Sequence, residues 1–163
     1  MIGSISEWEL LGKILIAAVL GSVLGYEREI RQKPAGLRTH MLVGAAAALL
    51  TGVGPFVVMF YQGMSPEIVR ADVMRLVHGM IVGISFLGAG TIFLHHREDR
   101  IEGLTTAASI LFTVGIGVVV ALELYTTAVF ATILILIIGL ALRRLEARMP
   151  HNGHKYAKPK KKK

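Results

Sequence analysis

Basic, hydroxyl-bearing and small side chains gather in three short blocks that interrupt long apolar runs. The blocks are EREIRQKPAGLRTH at 27–40, GISFLGAGT at 83–91 and EGLTTAAS at 102–109. The first block supplies Arg28, Arg31, Lys33 and Arg38, and the third supplies threonines, a residue type that caps helix N-termini. Arginines beside helix N-termini bind anions, because free backbone N–H groups and the helix dipole both favour negative charge. The chemistry predicted from these blocks is the binding of an anionic ligand.

A second interpretation of the same charges is structural. Arg28 and Arg38 could pair with Glu27 or Glu102 and hold the loop in place, with nothing else bound. Pro34 and Gly36 fit a turn that precedes a helix start. Both interpretations stay open at the level of the sequence.

Catalytic and metal-binding patterns are absent from the sequence. It contains no cysteine, which excludes disulfides, thiolate zinc sites and thiol catalysis. It also contains no P-loop, dinucleotide, HExxH or GxSxG motif. His95 and His96, and His151 and His154 near the end of the chain, lack the spacing of a metal site and are interpreted as loop residues. We predict that the chain is not an enzyme and has no cofactor.

The apolar runs between the blocks are long enough to cross a bilayer. Of 163 residues, 53% are hydrophobic, and a membrane helix needs about 20 mostly apolar residues. Lys13, one turn inside the first run, is expected to extend outward to the interface. The predicted fold is an all-α integral membrane bundle of about five transmembrane helices, over 8–26, 37–61, 73–94, 104–122 and 125–142.

This transmembrane domain is predicted to occupy residues 1–145. Residues 146–163 are rich in lysine and end in KPKKKK, and they are expected to form a basic, disordered cytoplasmic tail. Such a tail helps to set the topology, and it also attracts anionic lipid.

Positive charge is distributed unequally between the two sides of the predicted bundle. With the N-terminus outside, fifteen Lys and Arg residues lie on the cytoplasmic side, and only Arg70 and Arg75 lie on the other. Cytoplasmic loops of membrane proteins carry the excess of basic residues. The predicted orientation is therefore N-out and C-in, which places all three polar blocks at the cytoplasmic end of the bundle.

Small residues recur at the spacing of closely packed membrane helices. Gly21 and Gly25 form one GxxxG pair, and Gly79 and Gly83 form another. Such pairs let two helix backbones approach closely, so we predict that both pairs are packing positions.

Two observations bear on ion transport. Thr105, Ser109 and Thr113 recur on one face of the fourth span, where they either line a path or hydrogen-bond to a neighbouring helix. No Asp or Glu lies deep in any span, which counts against a conventional cation carrier and leaves magnesium without carboxylate ligands. A carbonyl-lined or hydrated pore stays open as an alternative.

Three segments resemble the MgtC/SapB family of bacterial membrane proteins. They are Glu27-Arg28 followed by KPAGLRTHMLVG at 33–44, FLGAGTI at 86–92 and GLTTAAS at 103–109, in the order that the family has them. The resemblance covers about residues 10–122. Together with Pro34 of the first motif, the functional positions that it implies are Glu27, Arg28, Lys33, Gly36, Leu37, Arg38, Thr39, Arg75, Gly88, Gly90, Gly103, Leu104, Thr105 and Thr106.

The resemblance implies a multi-pass protein of the bacterial inner membrane that is linked to magnesium limitation, acid or phagosomal stress, and virulence. Some members of the family are thought to act by binding other membrane proteins, including ATP synthase. Better-known members add a cytoplasmic C-terminal domain, and any function of that domain does not carry over to the residues that resemble the family here.

The predicted function is that of a regulatory membrane module acting through a site on its cytoplasmic face. The alternative is a transporter or channel for magnesium or another ion, and a structural scaffold that forms oligomers is a third class. The expected partners are the lipid bilayer, another membrane protein such as ATP synthase, and further copies of the chain. Nucleic acid is not an expected partner.

Overall fold

A computed structural model describes residues 6–64, 73–94, 96–97, 100–101 and 103–146. Five helices make up most of this part of the chain: α1 (Glu7–Ile30), α2 (Leu37–Met64), α3 (Val73–Leu94), α4 (Leu104–Ala121) and α5 (Tyr125–Glu146). Between α3 and α4, β1 (His96–Arg97) pairs with β2 (Arg100–Ile101) in an antiparallel hairpin. The sequence predicted only a loop at this place. The basic tail beyond residue 146 lies outside the described residues.

Four of the five helices are long and apolar enough to cross a membrane, namely α1, α2 over Leu37–Val57, α3 over Arg75–Ile92, and α4. The apolar part of α5, Tyr125–Ala141, is shorter. Large apolar side chains are exposed all around the bundle, with Trp8 and Phe86 each 81% exposed. A surface of this kind needs an apolar solvent, so the predicted helical membrane bundle is confirmed, with four clear spans and a fifth helix whose apolar part is shorter.

The helices α1 and α2 form a closely packed hairpin. A Cβ atom at Gly21 would overlap the carbonyl oxygen of His40, and one at Gly25 would lie 2.7 Å from the Cα of Leu37. On the other side of the contact, a Cβ at Gly44 would lie 2.8 Å from the carbonyl oxygen of Ala17. Only glycine lets the two backbones come this close. The hairpin therefore depends on the small residues of both helices.

The helix α4 lies at the centre of the bundle and contacts each of the other four helices. Its Ile116 and Val120 join the hydrophobic core with Ala17 and Leu24 of α1 and Ala48 of α2. At Gly117 the helix approaches α2 so closely that an added Cβ would lie 2.5 Å from the carbonyl oxygen of Gly44. Because α4 touches every helix, a side chain near its N-terminus can face two neighbours at once.

The helix α3 lies at the periphery and packs mainly on α4. A Cβ at Gly88 would lie 3.3 Å from the Cβ of Ala107, whereas a Cβ at Gly79, Gly83 or Gly90 would meet no atom within 4 Å in the described part of the chain. Among the described residues, Gly79 and Gly83 therefore make no close helix contact of the predicted kind. The two glycines instead border an apolar groove between α2 and α3.

The chain direction brings different helix termini together at the two ends of the bundle. At one end, which we call the basic end, α1 finishes with Arg28 and Arg31, α2 begins after Lys33, α4 begins and α5 finishes. At the other end, which we call the turn end, α1 begins and a tight turn at 122–124 joins α4 to α5. Each end contains an ion-pair cluster, and the two clusters differ in composition.

Candidate functional site

A single carboxylate organises the basic end. One oxygen of Glu27 lies 2.7 Å from Nε of Arg28, and the other lies 2.5 Å from Nε of Arg31. All three side chains are largely buried, with 13–17% of each exposed. Arg31 lies one helical turn after Glu27, so both residues are on the same face of α1. The carboxylate therefore fixes two guanidinium groups that would otherwise be mobile.

The two arginines reach across to α5 at a glycine. Nη1 of Arg31 donates a hydrogen bond of 3.4 Å to the carbonyl oxygen of Gly139, and a Cβ at Gly139 would lie 3.3 Å from Nη2 of Arg28. The absence of a side chain at Gly139 leaves room for the guanidinium of Arg28 against the helix. Arg31 belongs to the basic block of the predicted anion site, although it is not one of the family positions. Gly139 was not predicted, because no motif connects α1 with a glycine more than 100 residues later.

A cavity of about 790 Å³ opens beside these arginines, between α1, α4 and α5. Arg28, Arg31 and Lys33 line it from α1 and the turn that follows, and Thr105 and Ser109 line it from α4. The remaining wall is apolar and consists mainly of Ile30, Phe112, Ile135 and Ile138. The cavity thus presents positive charge and hydroxyl groups at the basic end of the bundle, next to an apolar surface.

The start of α2 is capped from α1 rather than by its own threonine. The backbone N–H of Leu37 donates to Oε2 of Glu29 at 2.7 Å, and a Cβ at Gly36 would overlap this carboxylate. A negative charge at this position also suits the positive end of the α2 dipole. A side chain at position 36 would therefore displace the Glu29 carboxylate that caps α2, and Thr39 does not serve as the cap.

The start of α4 has no side-chain cap. Its N-cap residue is Gly103, which has φ 100° and no side chain with which to accept a hydrogen bond. A Cβ there would lie 2.6 Å from the carbonyl oxygen of Thr91 at the end of α3, so the position is restricted to glycine both by conformation and by space. Thr106 is fully buried, and its hydroxyl has no hydrogen-bond partner in the described part of the chain.

The imidazole of His40 connects α2 to α4. Its Nδ1 lies 2.9 Å from the carbonyl oxygen of Gly36, and its Nε2 lies 3.2 Å from Oγ of Ser109. The hydroxyl of Ser109 also donates a hydrogen bond of 2.8 Å to the carbonyl oxygen of Thr106. His40 is fully buried. His40 ends the first polar block of the sequence, and no role was predicted for it. Its spacing of four residues from Gly36 is the one signal, because a side chain at this distance can reach the backbone at the start of its own helix.

The predicted polar stripe on α4 divides into two parts. Ser109 and Thr113 are buried, and their hydroxyls donate to carbonyl oxygens of the same helix, while Ser109 also reaches His40 of α2. Thr105 is exposed and lines the cavity. The helix-bridging hydrogen bond expected from this stripe is thus present at Ser109.

The predicted site residues converge only in part. Glu27, Arg28, Lys33 and Thr105 lie in or beside the cavity. Arg38 is at the start of α2, and it does not line the cavity. Arg75 lines the separate apolar groove between α2 and α3. The sequence allowed Arg28 and Arg38 to pair with Glu27 or Glu102. The structure shows the pairing of Arg28 with Glu27.

The turn end has a closed ion cluster. Nζ of Lys13 lies 2.8 Å from Oε1 of Glu123 and 3.2 Å from Oε1 of Glu9, and only 2% of Lys13 is exposed. The ammonium of Lys13 thus lies at the turn end of the bundle, where two half-exposed carboxylates hold it against the protein. Glu123 occupies the turn with φ 65°. The hydrogen bond from Lys13 and its positive charge lower the pKa of Glu123 below its usual value.

Comparisons with known proteins agree with the sequence motifs. The MgtC family matches residues 14–148. The chain is 42% identical over 142 residues to an uncharacterised protein of Haemophilus influenzae, covering 87% of this chain and 58% of the relative. It is 32% identical over 146 residues to the putative magnesium transporter YhiD of Escherichia coli K12, covering 90% and 66%.

A third relative is Protein MgtC of Salmonella typhimurium LT2, which is 36% identical over 137 residues, covering 83% of this chain and 53% of the relative. The chain thus spans between about half and two thirds of the length of these relatives. No solved structure matches it. The match over residues 14–148 and the level of identity lead to one conclusion: this chain is a membrane protein that belongs to the MgtC family.

Proposed function

We propose that this chain is a regulatory module of the bacterial inner membrane, without enzymatic activity, that acts by binding a ligand or partner at its basic end. The observation that carries the proposal is the cavity of about 790 Å³ lined by Arg28, Arg31 and Lys33. Polar side chains that line a cavity beside an apolar wall are typical of binding sites. Glu27 holds both arginines in place and α5 also holds Arg31, so the arginine part of the site is formed before anything binds.

The distribution of charge supports a cytoplasmic position for this site. On the orientation with the N-terminus outside, the basic end faces the cytoplasm, where basic residues accumulate in membrane proteins. A site there is accessible to cytoplasmic ligands and to the inner faces of other membrane proteins.

A link to magnesium is supported by the relatives. The Escherichia coli relative is named a putative magnesium transporter. We infer that this chain serves adaptation to scarce magnesium. The roles in acid or phagosomal stress and in virulence that the family resemblance implies are extensions of the same proposal.

Magnesium transport by this chain is the second candidate function, and the name of the Escherichia coli relative favours it. Within the ranges 6–64, 73–94 and 103–146, no three His, Asp or Glu side chains are grouped as a metal site would require. The hydroxyls of Ser109 and Thr113 on α4 donate to carbonyl oxygens of the same helix, whereas the buried hydroxyl of Thr106 has no partner among the described residues. The interior of the described helices thus resembles a packed core more than a hydrated path, which supports the regulatory proposal over transport.

Growth in low magnesium tests the proposal. The full chain is expressed in a bacterial strain from which the relatives of this family are deleted, and the wild type is compared with the double variant Arg28→Gln/Lys33→Gln. The matched control is Arg144→Gln, which removes one positive charge from the last turns of α5 at the same end. We expect growth to fail in the double variant and to continue in the control, at equal amounts of protein in the membrane.

Magnesium uptake into proteoliposomes, measured with an internal indicator dye, separates the two candidate functions. Uptake by the wild type that is lost in the double variant would establish transport through this end of the bundle. Absence of uptake from folded protein, together with loss of growth in the double variant, would support regulation by binding. Normal growth of the double variant would contradict a functional role for the cavity.

A further inference from the structure

We propose that the cavity at the basic end binds a phosphate group, and that an anionic phospholipid is its source. The inference rests on the proposed function, since it names the ligand of the same site. Three features of the cavity support it: an excess of fixed positive charge, a helix start without a side-chain cap, and an apolar wall next to both.

The excess charge is a property of the lining itself. Arg28, Arg31 and Lys33 line the cavity, and Glu27 is the one carboxylate that contacts these arginines within the described residues. Glu29 contacts neither arginine in the described structure; its carboxylate accepts the N–H of Leu37 at the start of α2. The three cations and Glu27 leave two positive charges, which an anionic ligand would reduce, and Coulomb attraction is strong at a site that is partly removed from water.

Hydrogen-bond donors are also in excess. Each guanidinium has several N–H groups arranged in a planar fork. The contacts with Glu27 use Nε of both arginines, and the contact with Gly139 uses Nη1 of Arg31. In the described structure, both NH₂ groups of Arg28 therefore stay available, and this fork matches the oxygens of a phosphate.

The start of α4 lies at the same end of the bundle. Gly103 provides no side-chain cap for the first N–H groups of the helix, and the hydroxyl-bearing Thr105 of its first turn lines the cavity. The positive end of the α4 dipole favours an anion nearby. The hydroxyl of Thr105 adds a donor from a second helix to those of the arginines.

The apolar wall favours a lipid over a small soluble anion. Ile30, Phe112 and Ile138 line the same cavity and are partly or fully exposed. A free phosphate would leave these side chains without a contact, whereas a phospholipid would place its phosphate at the arginines and an acyl chain along the wall. Burial of acyl carbons on such a wall is favourable because it removes apolar surface from water.

Binding to the purified full chain in a neutral, phosphate-free detergent tests the inference. Native mass spectrometry counts the bound ligands, and titration gives the dissociation constant, for dioleoyl phosphatidylglycerol, dioleoylglycerol and inorganic phosphate. Dioleoylglycerol has the same acyl chains without a phosphate, and inorganic phosphate has no acyl chain. We expect one phosphatidylglycerol per chain and no saturable binding of dioleoylglycerol.

The variants connect binding with the cavity. We expect Arg28→Gln to weaken phosphatidylglycerol binding at least about tenfold, because it removes a charge-assisted bond. Lys33→Gln should weaken binding by about threefold, since Lys33 is exposed. It has no side-chain contact in the described structure on which folding would depend. Arg144→Gln should leave the dissociation constant unchanged.

Each outcome has a definite meaning. Binding of inorganic phosphate that matches phosphatidylglycerol in affinity and in its response to Arg28→Gln would keep the phosphate site and overturn the lipid as its source. Equal weakening by Arg144→Gln and Lys33→Gln, or binding of several lipids without saturation, would show general attraction to a basic surface and overturn the inference.

If no phosphate ligand binds but Arg28→Gln/Lys33→Gln still abolishes growth, the ligand is wrong and the proposed function stands. If phosphatidylglycerol binds but growth does not depend on the site, the ligand assignment stands and the proposed function is wrong.

Discussion

The two ends of this bundle use the same kinds of side chain for different purposes. At the turn end, Lys13 contacts two carboxylates, Glu9 and Glu123, and its charge is fully compensated. At the basic end, Glu27 contacts two arginines, and Lys33 lines the cavity beside them. The first cluster is a closed clamp between α1 and the turn from α4 to α5. The cluster at the basic end has more cations than carboxylates and has unused N–H donors, and a cavity lies next to it. The ratio of cations to carboxylates thus separates a structural ion pair from a binding site.

Both ends depend on the hairpin of α1 and α2, so the largest effect is expected where its backbones touch. Gly21→Ala would force a methyl group onto the carbonyl oxygen of His40. We expect a loss of stability of about 2 kcal/mol or more, because the obstacle is backbone and cannot rotate away. Thermal unfolding in detergent measures it, and Gly83→Ala is the matched control, since no atom in the described structure lies within 4 Å of its Cβ position. Equal destabilisation by the two substitutions would contradict the arrangement of the hairpin.

The clamp at the turn end can be broken by itself. We expect Lys13→Ala to destabilise the protein by about 2 kcal/mol, because it removes the buried stem and the hydrogen bonds to both carboxylates. Lys13→Met keeps the stem and should recover part of this loss. The dissociation constant for phosphatidylglycerol at the basic end should stay unchanged, provided that the variant is folded. If Lys13→Ala left the unfolding temperature unaltered, the clamp would have no structural role.

The opposite pattern is expected at the basic end. Arg28→Gln should lower stability by about 1 kcal/mol, less than Lys13→Ala, because Arg31 retains its contact with Glu27 and the buried carboxylate is not left unpaired. Growth in low magnesium should nevertheless be impaired. Unfolding temperature and growth are measured on the same variants. A large loss of stability with normal growth would reverse the roles assigned to the two ends.

Acid should weaken the turn end through Glu123. Lys13 lowers the pKa of Glu123 in the folded protein below the usual value of 4.5, so its carboxylate binds protons more readily in the unfolded chain. Its stabilising contribution is complete above about pH 4.5 and is lost as the pH falls through the lower, folded pKa. The difference in unfolding temperature between the wild type and Glu123→Gln should be constant from neutral pH to about pH 5 and should shrink below it. A constant difference throughout would contradict the contact with Lys13.

The order and the starts of the helices could be predicted well from the sequence, whereas α1 and α5 continue to Ile30 and Glu146, four residues past their predicted ends. The predicted third span, 73–94, is α3 as observed, and the predicted starts of α2 at Leu37, α4 at Leu104 and α5 at Tyr125 agree with the structure. The physical reason is local, because long apolar runs must be helical in a bilayer and charged or Pro/Gly-containing segments end them. The family motifs are local too, and they are enough to single out Arg28, Lys33 and Thr105 as residues of interest.

The choice of partners could not be predicted in this way. Lys13 meets Glu123 over a separation of 110 residues, and Arg31 meets Gly139 over 108. Glu29 caps α2 although Thr39 has the residue type expected of a cap, and Arg38 belongs to the strongest motif but lies outside the cavity. Hydropathy and spacing determine where a helix lies along the chain, whereas the rotation of each helix about its axis follows from how all five pack. The sequence by itself therefore determined the membrane helices and the family, and only the tertiary structure decided which charges are compensated and which face a cavity.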